Sequence, residues 1–437
     1  MTQGLFSKEE ISVMYLRKKF YTLSLMDTLN NTSLAELWER QAYQPTSSID
    51  NTREFLQDQS ANKISSFDSS NADIYNNAIF KKLWNKKVLW KENEIVDYGD
   101  PHQQELFATE SDDYIPDNTV VFRNGTFTSD SVQRYNRQIY FWKNGYKGSQ
   151  TYKAYTSLFE YVEKSMPGLL ASQLSSSANV LNIEPTGQSC KLLLTSDAFF
   201  SNEASREAFE NHNHDAILDS GIYIVRVCRG KTAYIKEIHH DERKLFCNQW
   251  IYIVDYGATL TLDRKVLSTS GVMDNLHIIQ YPNSKLIINT YDHGTQWRNI
   301  GITAYQDTKT VVNGSTLLKT SDSGNFVDVH HRGPNGDSDI KYKSAIYDKN
   351  TGNFIGQISV DKKAEGTKSF MTNKNLLVDP LARAVSRPIL RINTKEIECS
   401  HGCTTSKIRD EDLYYLETLG MDKGSAKSLI ASGHIQI

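Results

Sequence analysis

The chain has 437 residues, with 49 Lys+Arg against 52 Asp+Glu and a formal charge of −3 at pH 7. That balance gives no global field to hold nucleic acid or an anionic membrane surface. Five cysteines (Cys190, Cys228, Cys247, Cys399, Cys403) are too few, and odd in number, for a disulfide framework.

A reducing, cytoplasmic compartment is therefore expected. No run approaches the ~18 apolar residues of a membrane span. Met1–Glu10 shows no basic start followed by an apolar stretch, so no signal peptide is expected.

Along the chain, Ser7-Lys-Glu-Glu10 reads as a capping box ahead of Ile11, Met14, Tyr15 and Leu16, which predicts a helix. Residues 41–77 are rich in Ser, Asn, Asp and Gln and read as a linker. Phe80–Trp90 mixes basic and aromatic residues, as single-strand nucleic-acid binders do. Phe80, Leu83, Trp84 and Val88 nevertheless fall on one helical stripe, so an amphipathic helix with a solvated face is expected. Further helix signals lie between Tyr152 and Gln173. Together, 1–178 reads as a helical and irregular N-terminal region.

From about residue 179 the pattern turns to short β-rich runs. They include Lys191–Thr195, Gly221–Val227, Trp250–Asp255, Ala258–Leu262, His277–Tyr281 and Leu286–Asn289. The series continues through Asn299–Thr303, Thr310–Asn313, Phe326–Val329, Ile340–Tyr342, Phe354–Ile358 and Ile389–Ile392. Polar corners with Gly and Asn separate them. No 10–15-residue amphipathic helix interrupts the region, which argues against βαβ crossovers. A sandwich, a barrel and a β-solenoid all fit this pattern.

The expected β core is 179–404. Residues 405–437 revert to helix. Asp410 is expected to cap one helix carrying Leu413, Leu416 and Leu419 and stopped by Gly420. Asp422 opens a second through Ala426, Leu429 and Ile430, ending at Gly433. Two helices this short cannot bury such faces on each other, so they pack on the β region or on a partner.

Several motifs bear on chemistry. Gly230-Lys231-Thr232 lacks the earlier glycine of a phosphate loop, since Val225 stands there, so nucleotide binding is excluded on this motif. In a strand the adjacent pairs His239-His240 and His330-His331 point to opposite faces and read as hydrogen-bonded or surface residues, as does the cluster His212-Asn213-His214. Asp255, Asp263, Asp292, Asp328 and Asp339 supply carboxylates for a β-helix polysaccharide hydrolase or lyase, which needs them paired across a cleft. A surface-binding solenoid is the other reading of that kind. The strongest constellation is Cys399-Ser400-His401-Gly402-Cys403. If extended, it puts two soft thiolates and an imidazole on one face, ligands that suit iron or zinc. Three ligands are one short of a closed structural zinc site, and inert cysteines remain an equal reading on chemistry alone.

Arg387–Ile408, in which Arg387-Pro-Ile-Leu-Arg-Ile leads into Cys399-Ser-His-Gly-Cys-Thr, resembles the C-terminal signature of the SufB/SufD family. Arg409–Gly420 and the helix through Gly433 are similar to the family segment beyond that signature. Upstream, Asn350–Val360, Asn373–Val378 and His331-Arg-Gly-Pro334 with Ser338 resemble further family segments. Phe209–Val225 and Val120–Gly125 are fainter matches, and the resemblance covers about residues 200–437. Family chains of the SufB kind carry a cysteine where this sequence has Ala382, and Glu-His-Glu where it has Ser400-His401-Gly402. Both differences favour a SufD-like chain, while Thr404–Ile408 keeps the SufB-like paralogue as an alternative.

The resemblance implies a right-handed parallel β-helix core, an N-terminal helical region and a short C-terminal helical region. It implies a non-catalytic scaffold of iron–sulfur cluster assembly, working with a SufB-like partner and a SufC-type ABC ATPase. It also implies a transient cluster where the two scaffolds meet, with Cys399, His401 and, more weakly, Cys403 at that interface. Leu413, Leu416, Leu419, Leu429 and Ile430 would then dock the ATPase. In isolation a homodimer is an option, and nothing in the sequence decides whether a reduced flavin binds.

Overall fold

The computed structural model describes residues 221–436 except 240–243, 267–270, 294, 295 and 320, with short pieces upstream. The upstream strands are β1 (Thr32–Ser33), β2 (Lys87–Leu89), β3 (Thr119–Arg123), β4 (Thr126–Phe127), β5 (Ile139–Gly145), β6 (Ala178–Ile183), β7 (Cys190–Ser196) and β8 (Ala216–Asp219). Then come β9 (Ile222–Val227), β10 (Thr232–His239), β11 (Lys244–Phe246), β12 (Gln249–Val254), β13 (Thr259–Val266), β14 (Val272–Gln280), β15 (Lys285–His293) and β16 (Gln296–Ala304). The series ends with β17 (Lys309–Leu318), β18 (Ser323–His331), β19 (Asp337–Ile346), β20 (Thr351–Val360), β21 (Thr367–Leu377), β22 (Arg383–Ile392) and β23 (Ile397–Lys407).

From β12 onward consecutive strands alternate between two sheets, and each pairs in parallel with the strand two positions on. This is a parallel β-solenoid, with one strand of each turn in each sheet. Each β-rich run read from the sequence falls on one of these strands, overhanging its end by at most one residue.

The corners explain how a chain without crossover helices turns back on itself. Gly230, Gly257, Asn283, Asp307, Asn335 and Gly366 occupy equivalent corner positions with φ of 68, 64, 60, 53, 57 and 72°. Only Gly, Asn and Asp take this left-handed conformation cheaply. Each donates its backbone N–H to the next turn, from Gly230 to the Tyr256 carbonyl at 2.9 Å through Gly366 to the Glu396 carbonyl at 2.7 Å. Tyr256, Tyr281 and Tyr305 stack along the same edge, with centroids 5.1 and 5.8 Å apart.

Parallel register stacks like positions into columns. One interior column runs Val225, Tyr252, Ile278, Ile302, Val329, Ile358 and Leu390. All of its members but Leu390 are buried. Burying such side chains is worth roughly 1.5–3 kcal/mol each, which is why the alternation of the strands settles which face turns inward.

Lys87–Leu89 forms β2, antiparallel to β1 and parallel to β8, although the sequence predicts a helix over Phe80–Trp90. Lys82 and Leu83 are helical, but pairing with neighbouring strands overrides the helical stripe after them. The helices expected near Ser7–Leu16 and Tyr152–Gln173, the linker over 41–77 and the cluster His212-Asn213-His214 lie outside the described residues.

Two helices come after β23: α1 (Asp410–Thr418) and α2 (Lys423–Ile435). Arg409, not Asp410, is the N-cap of α1, and no side chain caps it. Asp410, Glu411 and Asp412 instead fill the first turn, where acidic groups meet the positive end of the helix dipole. Gly420, with φ of 90°, lies just past the α1 stop as expected. Asp422 does cap α2, accepting from the Gly424 and Ser425 N–H groups at 2.9 and 3.0 Å. Gly433 lies inside α2, which continues to Ile435 because Ala431 and Ile435 bury against Ala345, Leu376 and Val378 of the solenoid. Lys427 ties the helix to Asp379, and the His434 ring meets the Lys374 carbonyl at 3.2 Å. No helix among the described residues is long and apolar enough to cross a membrane.

Candidate functional site

Among the described residues, the two strands of the last turn, β22 and β23, have no further turn stacked on them. Side chains that would face the interior in earlier turns here line an open mouth. From β22 these are Ser386, Pro388, Leu390 and Ile392, in register with the buried Phe354, Gly356, Ile358 and Val360. From β23 they are Ile397, Cys399, His401 and Cys403, in register with Thr367, Ser369, Met371 and Asn373, all buried. The period-two alternation that puts both thiols and the imidazole on one face thus continues an interior face. His401 and Cys403 are exposed and Cys399 is half-buried, because the chain stops stacking there.

Each residue caps a different interior column. His401 ends an aliphatic one: Ile235, Leu262, Ile288, Val312, Ile340 and Met371. Cys399 ends a column that turns from Leu260 and Leu286 to the hydroxyls of Thr310, Ser338 and Ser369. Burial raises the Cys399 thiol above its ordinary value, while the Ser369 backbone N–H donated to its sulfur works the other way. Leu390, Ile397 and Cys399 pack on the edge of the hydrophobic core.

Cys403 ends a polar column: Glu237, Arg264, Thr290, Gly314, Tyr342 and Asn373. Asn373 Oδ1 accepts from Asn375 at 2.8 Å and from Ser386 at 2.6 Å, and the Cys403 sulfur lies 3.9 Å away. Gly314 makes room for the Tyr342 ring, since a Cβ there would fall 2.2 Å from it. Burial pushes the Tyr342 hydroxyl up to about 12.

Deeper in this column, Glu237 and Arg264 join a buried ion network with residues of neighbouring columns. Arg264 pairs with Glu237 and, at 3.2 Å, with Asp274; Arg298 meets Asp292 at 2.7 Å and Asp274 at 3.5 Å. All five side chains are fully buried. Burial alone would lower the Arg264 pKa, but Glu237 and Asp274 beside it raise it instead. Cys247 is buried near Asp274, and both burial and that carboxylate raise its thiol.

Local sequence patterns did not point to this network, to Ser369, Met371 and Asn373 beneath the mouth, or to Ser386 at its rim. The period-two alternation of their strands was the one signal available for them.

The other sequence candidates go elsewhere. His330 meets Asp361 at 2.8 Å, while His331 faces the interior and meets Ser338 at 2.9 Å, so the pair splits between faces as expected. Asp292 is interior and paired with Arg298. Asp255 pairs with Arg226, Asp263 accepts from Tyr234 and Asn289, Asp328 from Gln357, and Asp339 pairs with Lys341. The five carboxylates are thus held by neighbours. Among the described residues no group of three His, Cys, Asp or Glu side chains converges to hold a metal ion. Residues two apart on a strand stand about 7 Å apart, so Cys399, His401 and Cys403 cannot close on one ion from this chain alone.

On the C-terminal helices Leu413 is buried and Leu416 half-buried, and Ile430 packs against the solenoid cluster. Leu419 and Leu429 remain 63% and 51% exposed, beside Tyr414 and Tyr415 at 69% and 62%.

The fold and its open end define a parallel β-solenoid domain with two thiols and an imidazole displayed on its terminal turn. Residues 223–434 match the family model described as SUF system FeS cluster assembly, SufBD core domain. Over these residues the chain carries the SufBD core domain, which is a domain of iron–sulfur cluster assembly proteins.

Among curated relatives, the chain is 37% identical over 89 residues to the iron–sulfur cluster assembly protein SufD of Escherichia coli, covering 20% of this chain and 21% of that one. It is 27% identical over 136 residues to a SufBD family protein of Synechocystis, 30% of each chain. A SufBD family protein of Mycobacterium tuberculosis is 32% identical over 113 residues, 24% of this chain and 28% of that one. The chain spans less than a third of the length of each of these relatives.

Proposed function

We propose that this chain is a SufD-like, non-catalytic scaffold whose open end is covered by a SufB-like chain, with the nascent iron–sulfur cluster handled between them as cargo. The carrying observation is the mouth itself. Two thiols and an imidazole stand in a row on a strand with no described strand stacked above it, too far apart for all three to bind one ion unaided. A facing surface would supply the missing ligands. Thiolates suit sulfide-bearing clusters and a neutral imidazole suits ferrous iron. The exposed Ile392, on the mouth-lining face of β22, favours a covering partner over open solvent. Ala382, buried against Leu318 and Ile346, leaves no thiol where SufB-like chains have one, which supports the SufD-like assignment.

A SufC-type ABC ATPase would dock on α1 and α2, where Tyr414, Tyr415, Leu419 and Leu429 leave apolar surface uncovered. Deleting 410–437 is expected to abolish retention of the ATPase in a pull-down with the full chain as reference. Undiminished retention would remove the helices from that role.

The test of the site is iron and acid-labile sulfide per assembled complex. His401→Ala changes an exposed side chain, so folding and partner retention should stay near the parent. Cluster content should fall at least tenfold. Normal cluster content in a well-assembled His401→Ala complex would take the imidazole out of the mechanism.

A further inference from the structure

A buried hydroxyl column runs beneath Cys399. His331 ends β18 with its ring fully buried, and its Nε2 lies 2.9 Å from Ser338 Oγ on β19. Ser338 and Ser369 of β21 share a hydrogen bond, and both are fully buried. Ser338, Ser369 and Cys399 are successive members of one register column.

The direction of the hydrogen bonds is set by His331. Burial, and then His330 beside it, push its pKa down to about 4, so the ring is neutral at pH 7 and carries one hydrogen. Its Nδ1 has no hydrogen-bond partner and faces Gly336, where a Cβ would fall 2.3 Å away. An orphaned buried N–H is rarer than an orphaned acceptor, so the hydrogen rests on Nε2 and is donated to Ser338. Ser338 then donates to Ser369, and the Ser369 backbone N–H donates to the Cys399 sulfur. The next strand lies about 4.8 Å away, and the column position on it is Cys399.

We propose that His331, acting through Ser338 and Ser369, is a positioning residue for Cys399: the hydroxyl column holds Ser369, whose backbone N–H meets the sulfur, and so fixes the orientation of the thiol at the mouth. The functional weight of this rests on the reading of Cys399 as a mouth residue facing a partner. The geometry belongs to this chain alone and is measured without one.

The experiment uses the full chain labelled with 13C at cysteine Cβ, with the Cys399 and Cys403 resonances assigned from single Ser substitutions. Ser338→Ala and His331→Phe should each move the Cys399 resonance by more than its line width and leave Cys403, on the same strand, in place. His331→Gln keeps a side-chain N–H for Ser338 and should return Cys399 close to its parent position. A Cys399 resonance unmoved in folded Ser338→Ala overturns the proposal, and so does an equal movement of Cys403, which would mean general loosening. Should His331→Phe fail to fold, Ser338→Ala, which removes one oxygen, decides. Failure of the partner reading would appear separately, as a parent chain that retains no partner while these shifts persist.

Discussion

Arg298→Ala is expected to lower the melting temperature of the solenoid by roughly 10 °C, the cost of stranding buried carboxylates. Arg298 binds both Asp292 oxygens at 2.7 Å and approaches Asp274 at 3.5 Å, and all three side chains are fully buried. Without it, Glu237, Asp274 and Asp292 share one guanidinium, Arg264. Removing one partner of a buried pair costs about 3–5 kcal/mol, and each kcal/mol moves the melting point of a domain this size by about 2–4 °C. The paired variant Arg298→Met with Asp292→Leu removes both charges together and should recover most of the loss, because buried ion pairs contribute little over well-packed apolar groups. Differential scanning calorimetry of the single and double variants decides. A single variant melting within two or so degrees of the parent would mean that the network carries no such stress.

The second large effect is on the pH dependence of stability. His331 has its pKa pushed down to about 4 by burial and by His330, against 6.5 for an ordinary histidine. Between those two values the unfolded chain binds a proton that the folded chain refuses. Stability present above pH 6.5 is therefore lost as the pH falls, and the loss is complete near pH 4. At about 1.4 kcal/mol per pH unit the loss amounts to about 3 kcal/mol. His331→Gln cannot titrate and should flatten the denaturation midpoint against pH over this window, whatever its stability at pH 7. Carboxylates add their own acid dependence, but they are common to both proteins and cancel in the difference. Parallel curves for parent and variant would show that His331 does not carry the linkage.

How much of the molecule was readable from its residues differs from place to place. The strands themselves were legible, because β-branched runs such as Gly221–Val227 and Trp250–Asp255 alternate with Gly- and Asn-bearing corners. The choice of a solenoid over a sandwich was not carried by that pattern, since period-two alternation is the same in both. It came from the resemblance of the Cys399–Thr404 segment and its surroundings to a known family. The helix expected over Phe80–Trp90 failed at Lys87–Leu89 because strand pairing with β8 outweighs a local stripe.

By itself, then, the sequence determined the β class, the two terminal helices and a row of two thiols and an imidazole at Cys399, His401 and Cys403. Only the tertiary structure decided what stands beneath that row. Glu237 and Arg264 read locally as solvated charges; they are interior because the register sets them beside each other across one turn, 27 residues apart. In the same way Ser338 and Ser369, 31 residues apart, meet only when their turns stack. A buried charge or hydroxyl is tolerated when its partner is present, and in a solenoid that partner sits a full turn away in sequence, beyond the reach of any local pattern.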